Sequence, residues 1–493
     1  MRVALDILIW VLFAFVIIGA IPVAAGAYQF LLIPFHSFKN HYSKARPHLP
    51  RVAVLLPAWN EGAVIGNSIE RLVKLSYPAG RLRIYVVDDA STDDTPDVVL
   101  GKAAKYPGMV FHLRRQKGGE GKAHTLNHGI THLLADDWME ALLIMDADVI
   151  YREDSLRRMT SHLGDPKVGA VTAYIAEGSA DPNYLTRFIA FEYVAAQKAS
   201  RRAQNVLGAL ACLAGGAQLH SRENLLAIGG RIDTSSLAED TFTTFNTQLG
   251  GRKVVFEPHA VVLAEEPGSI GALWKQRLRW ARGNVQLTQR FHKVWFRPSK
   301  VHRLGSISFG LFWFTTFLLP VAMILSSIGL IGLYFLEREL ASTVFRVSWF
   351  LSACTYVFLT LYTIFLDGPT GRRSWREALL FPGIISLLVM IMAFAPGSLD
   401  HWLPGLFGLQ VTEVGQEIWT LSVYAWLSLS MVAAWLVKKV ESTRIGRMLS
   451  PLLIYFVGYG ALLCAITFDS YIKEFQGAAQ VWDKTEKTGR VAA

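Results

Sequence analysis

Only 3 cysteines occur in 493 residues, and no two of them are close-spaced. That scarcity excludes a disulfide framework and any cysteine-based zinc or redox site. Charge is also thin: Asp, Glu, Lys and Arg together make up 18% of the chain, against 52% hydrophobic residues. No internal repeat, low-complexity tract or P-loop spacing is present. With a mean hydropathy of +0.30, the composition lies outside that of soluble globular proteins and defines an integral membrane protein. The formal charge of +10 and pI near 9.4 do not imply nucleic acid as a partner. Much of the excess sits beside apolar runs, where it meets anionic lipid headgroups, and no nucleic-acid-binding motif accompanies it.

Uncharged runs at Ile7 to Phe35, Leu304 to Leu336, Val347 to Leu366, Ala378 to Leu399, Ile418 to Val437 and Met448 to Phe468 each reach membrane length. Roughly 20 apolar residues span a bilayer core as helix. The first run continues past its small residues through Phe30, Leu31 and Leu32, and its leader holds Asp6 beside Arg2, so it reads as a retained anchor rather than a cleaved signal. Lys39, Lys44, Arg46 and Arg51 follow the first run, Arg372, Arg373 and Arg376 lie between the third and fourth, and Lys438, Lys439, Arg444 and Arg447 precede the last. The positive-inside rule therefore puts the large polar segment in the cytoplasm. The expected organisation is an anchor over 1–36, a cytoplasmic domain over 37–303, a transmembrane helical region over 304–475 and a polar tail over 476–493.

From Arg51 onward, short apolar strands alternate with helical stretches, the pattern of an α/β domain with a largely parallel sheet. Expected strands are Val52–Leu56, Ile84–Val87, Val110–Leu113, Ala141–Met145 and Val168–Ala173, with helices including Glu61–Leu75 and Gly121–Leu134. Ligands bind such sheets at the carboxyl ends of the strands, where Asp88-Asp89 and Asp146-Ala147-Asp148 fall.

These clusters carry the chemistry. A carboxylate at the end of the second strand can accept hydrogen bonds from a base N–H or ribose hydroxyls, while Thr92 or Asp93 suits capping of the next helix. Lys117-Gly118-Gly119-Glu120-Gly121-Lys122 is a glycine-rich turn into a helix, where amides and Lys122 can meet phosphates or a base edge. Asp146 and Asp148 can hold a divalent cation against a diphosphate, and oxygen ligands select Mg²⁺ or Mn²⁺ over zinc. The competing reading is a solvated acidic loop. Glu239-Asp240 opens a helix and can supply a general base, although N-terminal carboxylates also complement a helix dipole. In Gln276-Arg277-Leu278-Arg279-Trp280, helical spacing puts Gln276, Arg279 and Trp280 on one face. Arginine can bind diphosphate through two hydrogen bonds and tryptophan offers a flat surface for a sugar ring; a basic helix lying on the membrane is the alternative.

The order of these clusters over residues 50–283 resembles that of the membrane-integrated family 2 glycosyltransferases, which include cellulose, chitin, hyaluronan and poly-N-acetylglucosamine synthases. The resemblance implies a nucleotide-diphospho-sugar transferase domain of GT-A type on a transmembrane helical bundle, in a bacterial plasma membrane. It further implies Asp89, Lys122, Asp146 and Arg279 as donor contacts, Asp148 as direct metal ligand, Asp240 as base, and Gln276 and Trp280 as acceptor contacts. Ala238 stands where many cellulose synthases have threonine. The expected reaction is metal-dependent, inverting transfer of a hexose or N-acetylhexosamine from a uridine-diphosphate donor to a growing β-linked polysaccharide. Single transfer to a membrane lipid is the alternative within enzymes, and a transporter or channel without transferase activity is the alternative of another class. Trp482, Lys484 and Thr485 resemble a mobile donor-covering loop of several relatives. Counting every apolar run as a span puts that tail on the wrong side of the membrane, so either the Leu304–Leu336 run or the last run is interfacial or re-entrant, or the tail has no such role.

Overall fold

The computed structural model describes residues 2–38, 45–395, 412–479 and 491. The chain forms two compact units, one of residues 32–268, 283–310 and 479–493, the other of residues 1–31, 269–282 and 311–478. The Ser269–Arg282 segment thus groups with the apolar helices, not with the polar domain that precedes it.

The first unit is built on eight strands: β1 (Val52–Ala58), β2 (Leu82–Asp88), β3 (Val110–Arg114), β4 (Ala141–Ile144), β5 (Val149–Tyr151), β6 (Val168–Glu177), β7 (Gln218–Ser221) and β8 (Lys253–Ala264). They form one sheet in the order β3-β2-β1-β4-β7-β6-β8-β5. β3, β2, β1 and β4 are parallel, as the alternating pattern predicts, but β7 is antiparallel to both β4 and β6, and β5 is antiparallel to β8. The sheet is mixed rather than largely parallel. Parallel strands covered on both faces must be apolar on both faces, and Val52 to Leu56 are fully buried. The Lys122–Leu134 helix buries Leu126, Ile130 and Leu133, spaced four and three apart, against Leu55, Val87 and Leu142. Each such side chain stabilises the fold by about 2 kcal/mol relative to exposure. This packing fixes Lys122, the first residue of that helix. The chain passes from β1 out to β2 and β3, then returns across β1 to β4, so the crevice at the carboxyl ends of β1 and β4 is a topological switch point. At the far end of the same unit, Val491 pairs antiparallel with Ser179, just after β6.

In the second unit, three helices among the described residues are long and apolar enough to cross a membrane: Arg2–His36, Leu319–Leu336 and Arg338–Leu366. The expected Leu304–Leu336 run is divided, with Ile307–Phe317 a separate short helix and Pro320 in the first turn of the next. A further short apolar helix is Ile384–Phe394. Two more runs are bent pairs, Glu413–Tyr424 with Trp426–Glu441 at 76° and Arg444–Val457 with Tyr459–Phe475 at 98°. The last run is therefore not a straight span. Its break falls at Gly458, whose φ of +103° disfavours L side chains and whose α-carbon lies so close to Pro382 that a β-carbon would stand 2.4 Å from the Pro382 carbonyl oxygen. The two halves, 14 and 17 residues, are about 21 and 26 Å long, each short of the roughly 30 Å hydrocarbon core. Val491 and Ser179 belong to the same unit, so their pairing lies within the sheet-bearing unit.

Candidate active site

Asp88 and Asp89 end β2 with different fates. Asp88 is fully buried and accepts from Ser91 N at 2.7 Å and from Arg114 Nη1 at 2.9 Å, with His112 at 3.3 Å. Its lone pairs are committed to holding the loop. Asp89 accepts from Gly119 N at 2.9 Å and pairs with Arg115, which also pairs with Glu120. The glycine-rich turn is thereby tied to the end of β2. Gly118 makes this possible, because a β-carbon there would stand 2.0 Å from the Asp89 carbonyl oxygen. Ala90, next in the chain, has a φ of +56°, a conformation that non-glycine residues hold only when the surroundings impose it. Asp93 is not a side-chain cap of the usual kind: it accepts from Thr95 N at 3.0 Å and from Gly62 N at 3.1 Å, so one carboxylate serves the first turns of two helices.

Lys122 is the centre of the cluster. Its Nζ lies 2.5 Å from Asp146 Oδ1 and 3.7 Å from Glu239 Oε1, and it reaches the Gly215 carbonyl at 3.5 Å. A β-carbon on Gly215 would be 3.4 Å from Asp240 Oδ2 and 3.4 Å from Lys122 Nζ, and one on Gly216 would be 3.4 Å from Asp146 Oδ2. Three carboxylates and one ammonium thus surround a side-chain-free backbone. Burial alone would lower the Lys122 pKa, but Asp146, Glu239 and Asp240 outweigh it and hold the ammonium above its ordinary range. Asp240 stands in the first turn of the Glu239–Leu249 helix, where its Oδ1 accepts from Thr241 N at 2.6 Å. Glu239 faces Lys122, so it does more than complement the helix dipole.

Sequence reasoning passed over Cys212, Gly215 and Gly216, which line this cluster. Burial, and then the Asp240 charge, push the Cys212 thiol well above its ordinary pKa, so it stays protonated. Tyr151 OH donates to the Gly216 carbonyl at 2.9 Å and fixes the turn. The signal available was the Gly215-Gly216 pair placed just before β7.

Asp148 follows β4 with Asp146, and both carboxylates are partly accessible. Among the described residues no three His, Cys, Asp or Glu side chains are arranged to hold a metal ion between them. Two hard-oxygen donors at a strand end fit a Mg²⁺ or Mn²⁺ ion that completes its shell with substrate phosphates and water. They do not fit a zinc cage.

Gln276, Arg279 and Trp280 lie on the Ile270–Arg290 helix, within the part that belongs to the helical unit. Gln276 and Arg277 are buried, whereas Trp280 is 38% exposed. The Arg277 guanidinium stands 4.1 Å from the centre of the Trp280 ring, so one face of the indole is covered by a cation. Trp482, Lys484 and Thr485 lie outside the described residues.

The mixed sheet with acidic clusters at its strand ends is the α/β domain of a GT-A-type glycosyltransferase. The solved mannosyltransferase PcManGT from Pyrobaculum calidifontis shares the fold, with a TM-score of 0.50 and 23% identity over 72% of this chain and 98% of that one. Residues 50–283 match the family model described as "Glycosyltransferase like family 2", and in this chain that family 2 segment is joined to apolar helices of membrane length. "Probable glycosyltransferase YdaM" of Bacillus subtilis is 28% identical over 68% of this chain and 79% of its own length. Poly-beta-1,6-N-acetyl-D-glucosamine synthase of Staphylococcus epidermidis is 25% identical over 70% of this chain and 82% of its own. Beta-monoglucosyldiacylglycerol synthase of Synechocystis is 31% identical, with 48% of each chain covered. The chain thus spans about half the length of that last relative.

Proposed function

We propose that this chain is a membrane-bound inverting glycosyltransferase that takes a hexose or N-acetylhexosamine from a uridine-diphosphate donor and extends a β-linked polysaccharide. The observation that carries the reading is the cluster of Lys122, Asp146, Glu239 and Asp240 around the Gly215–Gly216 turn. Asp89, held beside the glycine-rich turn, accepts hydrogen bonds from the donor's base or ribose, and Lys122 presents its ammonium to the diphosphate. Asp146 orients the ribose, or would hold a water beside the cation when one is bound. Mg²⁺ or Mn²⁺ held by Asp148 would supply counter-charge for the departing diphosphate when bound; the mannosyltransferase PcManGT was solved in complex with GDP-Man and Mn²⁺. Asp240 accepts the proton of the acceptor hydroxyl as that oxygen bonds to the anomeric carbon, and the bond from that carbon to the diphosphate breaks on the opposite face. Arg279 contributes to the diphosphate, and Gln276 and Trp280 to the acceptor sugar.

The poly-N-acetylglucosamine synthase match supports a polymer product, because it extends over 70% of this chain and so beyond the transferase domain. A second reading, single transfer to a membrane lipid, draws on the 31% identity to the glucosyldiacylglycerol synthase. The cytoplasmic face of a bacterial plasma membrane, where nucleotide sugars are made, suits either. Purified full-length protein given a panel of labelled UDP-sugars with Mn²⁺ tests the proposal. Incorporation from one UDP-hexose or UDP-N-acetylhexosamine supports it, and incorporation only from GDP-linked sugars, or none, overturns the donor assignment.

A further inference from the structure

The Ile270–Arg290 helix begins in the helical unit, where three carboxylates from the last two bent pairs hold it. Glu441, the final residue of Trp426–Glu441, accepts from Ile270 N at 2.9 Å through one oxygen and from Gly271 N at 2.8 Å through the other. A carboxylate there satisfies two of the amides left open at a helix start and complements its dipole. One turn on, the Trp274 indole N–H donates to Asp469 Oδ2 at 2.8 Å, and the Lys438 ammonium stands 4.0 Å from the centre of the ring. Trp274 is only 2% exposed. At the far end of the same stretch, Arg282 Nε donates to Glu474 Oε1 at 2.5 Å and its Nη2 donates to the Ala478 carbonyl at 2.6 Å. Asp469 and Glu474 both lie on the Tyr459–Phe475 helix.

Gln276, Arg279 and Trp280 fall between these fastenings, at Ile270, Trp274 and Arg282. A stretch of helix pinned at both ends over about 18 Å cannot rotate or slide without breaking a charge-assisted hydrogen bond. We propose that Glu441, Asp469 and Glu474 are positioning residues that set the rotation and height of this helix, and through it the placement of Gln276, Arg279 and Trp280. The inference rests on the reading of those three residues as substrate contacts. None of the three carboxylates is assigned a substrate contact of its own. Their charge matters because each bond joins an ionised group to an N–H, and loss of such a bond reduces an oriented contact by about tenfold.

The test uses the full chain in detergent or nanodiscs. Trp274→Phe removes the indole N–H and keeps the ring, Asp469→Ala removes its acceptor, and Glu441→Ala removes the helix cap. Sugar transfer is expected to fall about tenfold in each, calorimetric UDP affinity in the presence of Mn²⁺ to fall by less than transfer does, since Arg279 is the one displaced donor contact, and the thermal midpoint to hold. The Trp274→Phe/Asp469→Ala double variant is expected to match the worse single one, and Glu441→Gln to recover part of the Glu441→Ala loss. Unchanged transfer in the single variants overturns the proposal. So does a parallel loss of UDP affinity and thermal midpoint, which marks a general fold defect. If wild-type protein transfers no sugar at all, the transferase reading fails separately, and amide exchange still decides the clamp. Glu441→Ala should speed exchange across residues 270–282 at least tenfold, and unchanged exchange there overturns it.

Discussion

Replacing Lys122 by methionine keeps the length and apolar stem of the side chain and deletes only the charge. In the wild type that charge faces Asp146 at 2.5 Å and Glu239 at 3.7 Å, and its side chain is 8% exposed. At an effective dielectric of about 20, Coulomb's law gives these two contacts roughly 7 and 4 kcal/mol before desolvation is charged against them. Removing one partner of a buried ion pair costs about 3–5 kcal/mol after that correction, and the lower end applies here because the Asp146 side chain is 37% exposed. If about 3 kcal/mol of this is felt where the diphosphate departs, Lys122→Met should lower turnover roughly 10²-fold. Neighbouring carboxylates keep the Lys122 ammonium charged across the neutral range, so the wild-type profile should show no limb from its deprotonation between pH 6 and about 9. The assay is initial-rate release of UDP and incorporation of labelled sugar, with circular dichroism as control for folding. Turnover within about threefold of wild type, in a folded variant, would refute the assignment of Lys122 to the reacting cluster.

Asp240→Asn preserves size but removes the proton acceptor, so turnover should fall at least about a hundredfold with UDP affinity retained; near-normal rates rule out Asp240 as base. Asp148→Ala should abolish transfer and weaken Mn²⁺-dependent UDP binding, and unchanged calorimetric affinity counts against Asp148 as a metal ligand. Buried His220 has its pKa lowered by desolvation from the ordinary 6.5 to about 4. The folded value is the depressed one, so its neutral form's contribution is complete above pH 6.5 and is lost as pH falls towards 4. The unfolding midpoint should drop over that window, by the equivalent of about 3 kcal/mol if the whole shift is realised. His220→Gln should flatten that slope, and an identical slope in both proteins contradicts the role.

The parallel half of the sheet was legible because its strands are short apolar runs bounded by turns, and Val52 to Leu56 and Ala141 to Ile144 are buried on both faces. β7 was not, because Gln218-Leu219-His220-Ser221 has no apolar run and becomes a strand only through its pairing with β4 and β6. β5 is three residues long and exists through β8 in the same way. The acidic clusters announced the carboxyl ends of β2 and β4, but the ion pairs of Lys122 with Asp146 and Glu239 join residues far apart in the chain. Local spacing pointed Lys122 at phosphates or a base edge without revealing its carboxylate partners. Among the membrane runs, Met448 to Phe468 reads as one apolar stretch, and the break at Gly458 depends on a backbone contact with Pro382 that no window of sequence contains.

Whether this chain builds a polymer from a nucleotide sugar is decided by the time course of product size in a reaction with purified full-length protein, labelled UDP-sugar and Mn²⁺. The expected labelled product lengthens with time, stays in the aqueous phase on organic extraction and is cleaved to a single sugar type by acid. A single organic-soluble species carrying one sugar, constant in size throughout the reaction, would contradict polymer synthesis and establish the lipid acceptor instead.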